Sequence, residues 1–449
     1  MCPVSPELLP TDAVRKGTEI NLVQDITFKP DVIEFQREVF YSPSLGKRFI
    51  GALPKGYEGE FGPGLKSLVL TLYHEAQVSQ PNILKLLTSC GISISAATIS
   101  RMLIDQAAQF HQEKKAIIDA GLQSTSYQHI DDTGARVNGK NHYAHVLCNP
   151  FYSAYFTRRH KDRLTILKIL CQDDMHYEFS DESYTLMQTM GLSGKQLKRL
   201  KSKKPAKNIS QQKLDEMLLL LFPNQKKQHK NRLVIQEAAA LTAYRKRADA
   251  IQILICDDAP QFKKITEKIG LCWVHEGRHY KKLKPIFKAH RDALESFLHR
   301  FWALYHALLD YKLKPNPVQA QALSKSFDEL MTKTGYDVLD QRIQMTSVRK
   351  DELLLVLVHP EIELHNNPAE LAARAQARKR DVSLQTKNAA GTQAKDTMMT
   401  IVQTARKLGV SILDYINDRV SRTNAMTSLA EMIKNHTAQT QPIDEQLAA

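Results

Sequence analysis

Apolar and polar positions follow different rhythms along this chain, and each rhythm predicts a different kind of structure. From Leu65 the apolar residues recur at helical spacing, with Leu65, Leu68, Val69 and Leu72 on one face. A second helix carries Ile83, Leu84, Leu86 and Leu87 behind Ser79, and a third runs through Ile99, Met102 and Leu103 behind Ser95; both serines suit N-caps. Residues 127–157 change to a period of two. Tyr127–Val137 and His142–Cys148 read as strands around Asn138-Gly139-Lys140-Asn141, because Asn and Gly both accept positive φ in a hairpin turn, and Tyr152–Thr157 reads as a third strand. Asp162 is placed to cap a helix through Leu164, Ile166, Leu167 and Leu170. The near-continuous apolar run Ala250–Cys256 predicts a strand covered on both faces. Helical periodicity returns between His279 and His359, where Phe287, Leu294, Phe297, Leu298, Phe301, Trp302, Leu304, Tyr305, Leu308 and Leu309 form a broad, mostly core-facing stripe. The polar tail from Asn435 lacks periodicity and is expected to be disordered.

Three antiparallel strands, a helix and then a buried strand ending in an acid predict an α/β protein with an RNase-H-like (retroviral-integrase-like) core and a mixed sheet. Two insertions, one basic and one helical, interrupt that core, and a helical, helix-turn-helix-like region precedes it. The expected division is an N-terminal region (1–60) ending in a Gly- and Pro-rich joint, a helical DNA-binding region (61–120), and a first core part (121–170). A basic insertion (171–249), a second core part (250–280) and a helical insertion (281–360) follow. A third core part (361–415) carries a Glu-bearing helix, and a C-terminal helix and tail (416–449) close the chain. In the helix-turn-helix reading, Thr98, Ser100 and Arg101 face outward to touch phosphates or bases; the alternative is a small bundle bridging domains.

A chain of 449 residues has room for several structural units and a sizeable core. Its net charge of +14 makes an extended polyanion, nucleic acid first, the expected partner. The positive charge is concentrated. Lys195, Lys198, Arg199, Lys201, Lys203, Lys204 and Lys207 fall within one acid-free stretch suited to phosphate contact, with a solvated loop as the plain alternative. Six cysteines without a Cys-x-x-Cys pair suggest reduced thiols. No signal-like amino terminus and no bilayer-length apolar run are seen, so no membrane partner and a cytoplasmic, DNA-associated location are expected.

Three acids stand out: Asp131 in the first strand, Asp257 after the buried strand, and Glu370 in Asn366-Asn367-Pro368-Ala369-Glu370. Carboxylates converging from separate elements suit a pair of magnesium ions in phosphodiester chemistry. Asp131 and Asp257 are each followed by a second Asp, 132 or 258, and only one of two adjacent strand residues can face a shared site. Glu370 has a plainer reading as the reciprocal member of a capping box behind Asn367. Cys272 and His275, even with His279, are an incomplete zinc set, and a hydrogen-bonding or substrate-positioning role for His275 is the competing reading.

Phe61-Gly-Pro-Gly-Leu-Lys66, Asp131-Asp-Thr-Gly-Ala-Arg136-Val, Asp257, Leu271-Cys272-Trp-Val-His275-Glu-Gly-Arg278 and Asn366-Asn-Pro-Ala-Glu370-Leu-Ala-Ala-Arg374 occur in that order. Over residues 60–415 the chain thereby resembles bacterial DDE transposases of the insertion sequence sixty-six group. The resemblance implies Asp131, Asp257 and Glu370 as catalytic, metal-binding residues for two Mg2+ ions, with Mn2+ able to substitute. It implies Cys272, His275 and Arg278 as accessory residues beside them. Double-stranded DNA, as element ends and target, would be the partner, and a homo-oligomer would assemble on it. Arg101, Arg278, Lys281, Lys282 and Arg374 are candidate phosphate contacts, with exposed helix charges as the alternative. The group has Glu where Asp132 stands, Asp where His365 stands, and often a cysteine-bearing amino-terminal module whose spacing is absent here. These departures leave a second reading, a transposase-derived DNA-binding protein that no longer cuts.

Overall fold

The computed structural model describes residues 2–440. After an exposed amino-terminal stretch, β1 (Val39–Ser42) and β2 (Lys47–Ile50) form a small hairpin. Helices α1 (Pro63–His74), α2 (Gln80–Ser89), α3 (Ala96–Ala108) and α4 (His111–Gln123) follow. Ser95 caps α3 by accepting from Thr98 N, whereas Ser79 begins α2 without a side-chain bond. Arg101 is exposed, with Thr98 and Ser100 half-buried beside it.

The central sheet is built from β3 (Tyr127–Val137), β4 (Lys140–Cys148), β5 (Ser153–Arg158), β8 (Ile253–Cys256) and β9 (Lys268–Leu271), in the order β5-β4-β3-β8-β9. The first three strands are antiparallel, and β8 and β9 add parallel to β3, so the fold is α/β with a mixed sheet. Two details of the hairpin and buried strand differ from the sequence reading. The β3–β4 loop contains only Asn138 and Gly139, both at positive φ, because Val137 already pairs with Lys140. The buried strand shrinks to Ile253–Cys256, and β9, too short to show a period of its own, joins it.

Helix α5 (Arg163–Leu170) is capped by Asp162, which accepts from Thr165 N. The basic insertion is ordered rather than a loop. It contains β6 (Tyr177–Glu178), α6 (Asp181–Thr189), α7 (Gly194–Lys201), β7 (Asn208–Ile209), α8 (Gln211–Leu221) and α9 (His229–Arg245). Buried Leu197 and Leu200 anchor α7, while Lys195, Lys198, Arg199 and Lys201 on it and Lys203, Lys204 and Lys207 beyond it are exposed.

Beyond β9 come α10 (Trp273–Lys281), α11 (Lys288–Leu313), α12 (Pro317–Leu330), α13 (Asp337–Ser347) and α14 (Lys350–Leu353). The aromatic stripe is core as expected at Phe297, Phe301 and Tyr305, but Phe287 lies before α11 and is exposed. The chain ends with α15 (Asn367–Ser383), α16 (Ala389–Lys407), α17 (Ile412–Val420) and α18 (Leu429–Thr440). Helix α18 overturns the expectation of disorder from Asn435: buried Leu429 and Ile433 dock it beside α4 and carry the helix past the point where apolar periodicity ends. The rest of that tail lies outside the described residues.

Two helices close the sheet in ways that matter for the site. Helix α16 runs along edge strand β5, where Asp396 accepts from Thr157 N (2.5 Å), Thr400 Oγ1 from Tyr155 N (3.1 Å) and Thr404 Oγ1 from Ser153 N (3.3 Å). Four helical residues rise about 6 Å and two strand residues about 6.6 Å. Every fourth side chain of α16 therefore meets every second N–H of the strand, and the edge is covered. Helix α15 lies across β3 and β4. Its small residues Ala369, Ala372 and Ala373 pack flat against Val146, Cys148 and Tyr155.

Candidate active site

Strand alternation decides which acid of the first doublet faces α15. Asp131 pairs with Val146 and His129 with Cys148, so these side chains share the face on which the alanines of α15 lie. Asp132 points to the other face, where its carboxylate accepts from Gln261 Nε2 (2.8 Å) and sits 3.5 Å from Lys161 Nζ. The parallel β3–β8 ladder pairs His129 with Ile255, so continuing the register by two residues brings Asp131 opposite Asp257 at the carboxyl end of β8. Open α/β sheets place their sites at such ends.

The second doublet divides in the same way. Asp258 is ion-paired with Lys263 (2.8 Å) and Arg349 (3.4 Å). Asp131 and Asp257 have no ion-pair partner among the described residues; Asp131 accepts from Asp132 N (2.8 Å) and Asp257 from Ala259 N (3.2 Å). Burial raises the Asp131 carboxyl to about 7, and repulsion from Asp257, Asp132 and Glu370 adds to this against the stabilising Asp132 N–H. Asp257 is also raised, chiefly by burial, with His275 acting in the opposite direction. The Asp131 carboxyl thus feels the negative charges of Asp257 and Glu370.

Glu370 sits in the first turn of α15, and its structural role is not the capping box. The N-cap is Asn366, not Asn367, and it makes no side-chain cap bond. Its amide instead donates to Ile130 O (2.8 Å) and its Oδ1 meets His129 Nδ1 (3.0 Å), which pins the start of α15 beside Asp131. The far end is held by Arg380 Nη1 donating to Gly134 O (2.6 Å) and by a bridge between Val137 and Thr386. A 17-residue helix is about 25 Å long, close to the roughly 23 Å of strand from 130 to 137, so both ends can be tied at once. Glu370 Oε2 accepts from Arg278 Nη2 (3.1 Å), and its Oε1 lies 3.4 Å from His275 Nδ1.

Arg278 and His275 come from α10, whose first turn is fixed by buried Trp273 donating through Nε1 to Leu353 O (2.8 Å) and through its backbone N to Leu364 O (3.0 Å). The helical insertion thus supports the site as well as interrupting the core. Cys272 is buried just before α10, and its Sγ accepts from Asn366 N (3.2 Å). Cys272, His275 and Glu370 come together in one group, while His279 is not part of it. Arg278, Lys281, Lys282 and Arg374 are exposed, and Lys281 Nζ rests 5.3 Å from the Trp302 ring centroid.

Three supporting residues escaped the sequence reading. Asn366 and His129 form the latch just described. Arg163 braces the loop after Asp257, donating to Lys263 O (2.7 Å) and Pro260 O (2.8 Å) and pairing with the buried Glu237 of α9. The Asn-Asn doublet was a visible signal for Asn366; nothing local marks Arg163, whose partners are distant in sequence.

Asp131 within β3 and Asp257 just after β8, with no ion-pair partner among the described residues, and the helix-borne Glu370 that acts on Asp131 are the acids of a mixed α/β sheet. The chain belongs to the transposase IS66 family, whose model matches residues 58–175 and 197–394. It is also similar to a Sinorhizobium fredii (strain NBRC 101917 / NGR234) protein described as "Uncharacterized protein y4jO", at 30% identity over 324 residues covering 71% of this chain and 99% of that protein. No solved structure gives a significant match. Among the described residues no helix is long and apolar enough to cross a membrane.

Proposed function

We propose that this chain is a DDE transposase with an RNase-H-like core, in which Asp131, Asp257 and Glu370 hold two magnesium ions for strand cleavage and strand transfer at the ends of an insertion sequence. The observation that carries this reading is the sorting of the acids. In each doublet the second aspartate is in an ion pair and the first is in none among the described residues, and Asp131 feels the charges of Asp257 and Glu370. The donor set fits hard divalent cations: it offers carboxylate oxygens alone, and Asp131 is under a repulsion that a cation would relieve. Bound there, the ions would supply activation of an attacking water or 3′-hydroxyl and stabilisation of the leaving oxygen, with manganese as substitute.

The protein's own contribution is placement. The β3–β8 register, continued by two residues, sets Asp257 opposite Asp131, and the Asn366 latch ties the Glu370-bearing helix to Ile130, which supports a shared site for the three carboxylates. Arg278 pairs with Glu370 and is exposed, so it can turn to a DNA phosphate when the carboxylate takes up a cation. The exposed basic residues of α7 and the turn after it, together with Lys281, Lys282, Arg374 and Arg101, supply phosphate contacts, and a homo-oligomer forms on the DNA.

The test is a nicking and joining assay on DNA carrying the cognate element ends, with magnesium or manganese. Asp131→Asn, Asp257→Asn and Glu370→Gln should each abolish the reaction and retain DNA binding. Full activity in Asp257→Asn would remove the assigned site. Binding to element ends with no cleavage by the unaltered chain would instead establish the non-cutting, transposase-derived DNA-binding protein.

A further inference from the structure

We propose that Cys272, His275 and Glu370 form a binding site for a thiophilic transition-metal ion of the zinc class, one that shares its glutamate with the oxygen-only acid centre. One donor atom from each of the three residues lies within 4.8 Å of the other two. The residues come from the turn between β9 and α10 and from the first turn of α15, elements joined by Trp273 N donating to Leu364 O and Asn366 N donating to Cys272 Sγ. The cluster is therefore supported on both sides.

The geometry within it is that of ligands rather than of a hydrogen-bonded pair. His275 Nδ1 and Glu370 Oε1 are 3.4 Å apart, both are shut off from solvent, and neither makes a hydrogen bond. Two donors each about 2.0–2.1 Å from a tetrahedral zinc ion stand about 3.4 Å from one another. Arg278 occupies the remaining atoms, donating through Nη1 to His275 Nε2 (3.2 Å) and through Nη2 to Glu370 Oε2 (3.1 Å). Metal binding through Nδ1 places the imidazole proton on Nε2, so Nη1 must release it; the Arg278 side chain is 47% exposed and free to do so.

The sulfur is held in place by geometry, since Cys272 Sγ accepts from Asn366 N at 3.2 Å. A metal ion would bind it as thiolate, the displaced proton leaving to solvent. Thiolate and imidazole donors select zinc-class ions over magnesium, and three protein ligands leave a fourth tetrahedral position for water. Such an ion draws Glu370 away from Asp131 and Asp257. That competition rests on the transposase reading, whereas binding itself does not.

The experiment is a cobalt(II) titration of the reduced, metal-free, full-length protein. The expected result is a thiolate-to-cobalt charge-transfer absorption with intense tetrahedral d–d bands, saturating at one equivalent and abolished by one equivalent of zinc. Cys272→Ser should lose the charge-transfer band, and Asp131→Asn should keep both signals. Because Cys272 is buried, His275→Ala, at a partly exposed position, is the second variant and should lose the d–d intensity. Absence of the sulfur band in the unaltered protein, or either signal surviving its variant, overturns the site. DNA cleavage is not read, so the acid centre and this site stand or fall separately.

Discussion

The side-chain amide of Asn366 donates to the carbonyl oxygen of Ile130 at 2.8 Å, and this bond ties the helix bearing Glu370 to the residue preceding Asp131. Asn366 is fully buried and also engages His129 through its other amide atom. Removing the amide leaves a buried carbonyl and a buried imidazole nitrogen unpaired, at a cost of about 1–3 kcal/mol for each unsatisfied group.

Asn366→Ala should therefore lower the unfolding midpoint and reduce nicking well beyond what the loss of folded protein explains, because the carboxylates no longer share one frame. Thermal unfolding and cleavage on one preparation would check this. Unchanged cleavage at a lowered midpoint would show that the latch supports stability alone.

Asp131→Asn should have opposite effects on stability and activity. Metal-free, the native centre holds Asp131 against the charges of Asp257, Asp132 and Glu370, which an amide at 131 relieves. Calorimetry without divalent ions should give the variant a midpoint equal to or above the native one, reflecting a stability gain of on the order of 1 kcal/mol, as expected where a functional site is held against stability. Addition of magnesium should raise the native midpoint by mass action and leave the variant's nearly unmoved.

Lys379 of α15 predicts a pH dependence remote from the acids. It is buried, donates to Tyr73 O, and lies over the Tyr73 ring at 3.2 Å. Burial, reinforced by Lys395, lowers its ammonium to about 7 from 10.5. Between those values the unfolded chain binds a proton that the folded protein does not, so this residue makes stability rise with pH through that window, by at most about 1.4 kcal/mol per pH unit. Lys379→Met should remove that slope, so its stability advantage at pH 7 shrinks toward pH 10. Parallel native and variant denaturation curves across pH would refute the assignment.

The exposed cations of α7 should act on DNA and not on folding. Replacing Lys198, Arg199 and Lys201 together with Gln leaves the inward Leu197 and Leu200 untouched. Binding to any duplex should weaken, and the slope of log affinity against log salt should fall by about one for each phosphate contact removed. An unaltered salt slope would mark α7 as a solvated face.

Local signals carried much of this protein. The positive-φ turn at Asn138-Gly139, tighter by two residues than periodicity placed it, and the caps at Asp162 and Ser95, found where capping chemistry places them, all depend on neighbours within three residues. The buried run ending at Cys256 likewise announced a strand, which the structure shortens to Ile253–Cys256 and pairs with β3. Signals failed where the partner is remote. Asn367 read locally as a cap, yet the N-cap is Asn366, and its amide bonds a strand over two hundred positions away. Strand β9 is too short for alternation to reveal, and α18 outlasts its own periodicity because α4 receives it.

By itself the chain determined the order of its elements and put Asp131 within the first long strand, Asp257 just after the buried strand and Glu370 in the first turn of a helix, since hydrophobic period and turn chemistry act over a few residues. Only the tertiary structure decided which acid of each doublet is left without a counterion, that Glu370 meets His275, Arg278 and Cys272, and that Asn366 is a latch. Those outcomes depend on strand register and helix docking, which bring together groups that no local pattern links.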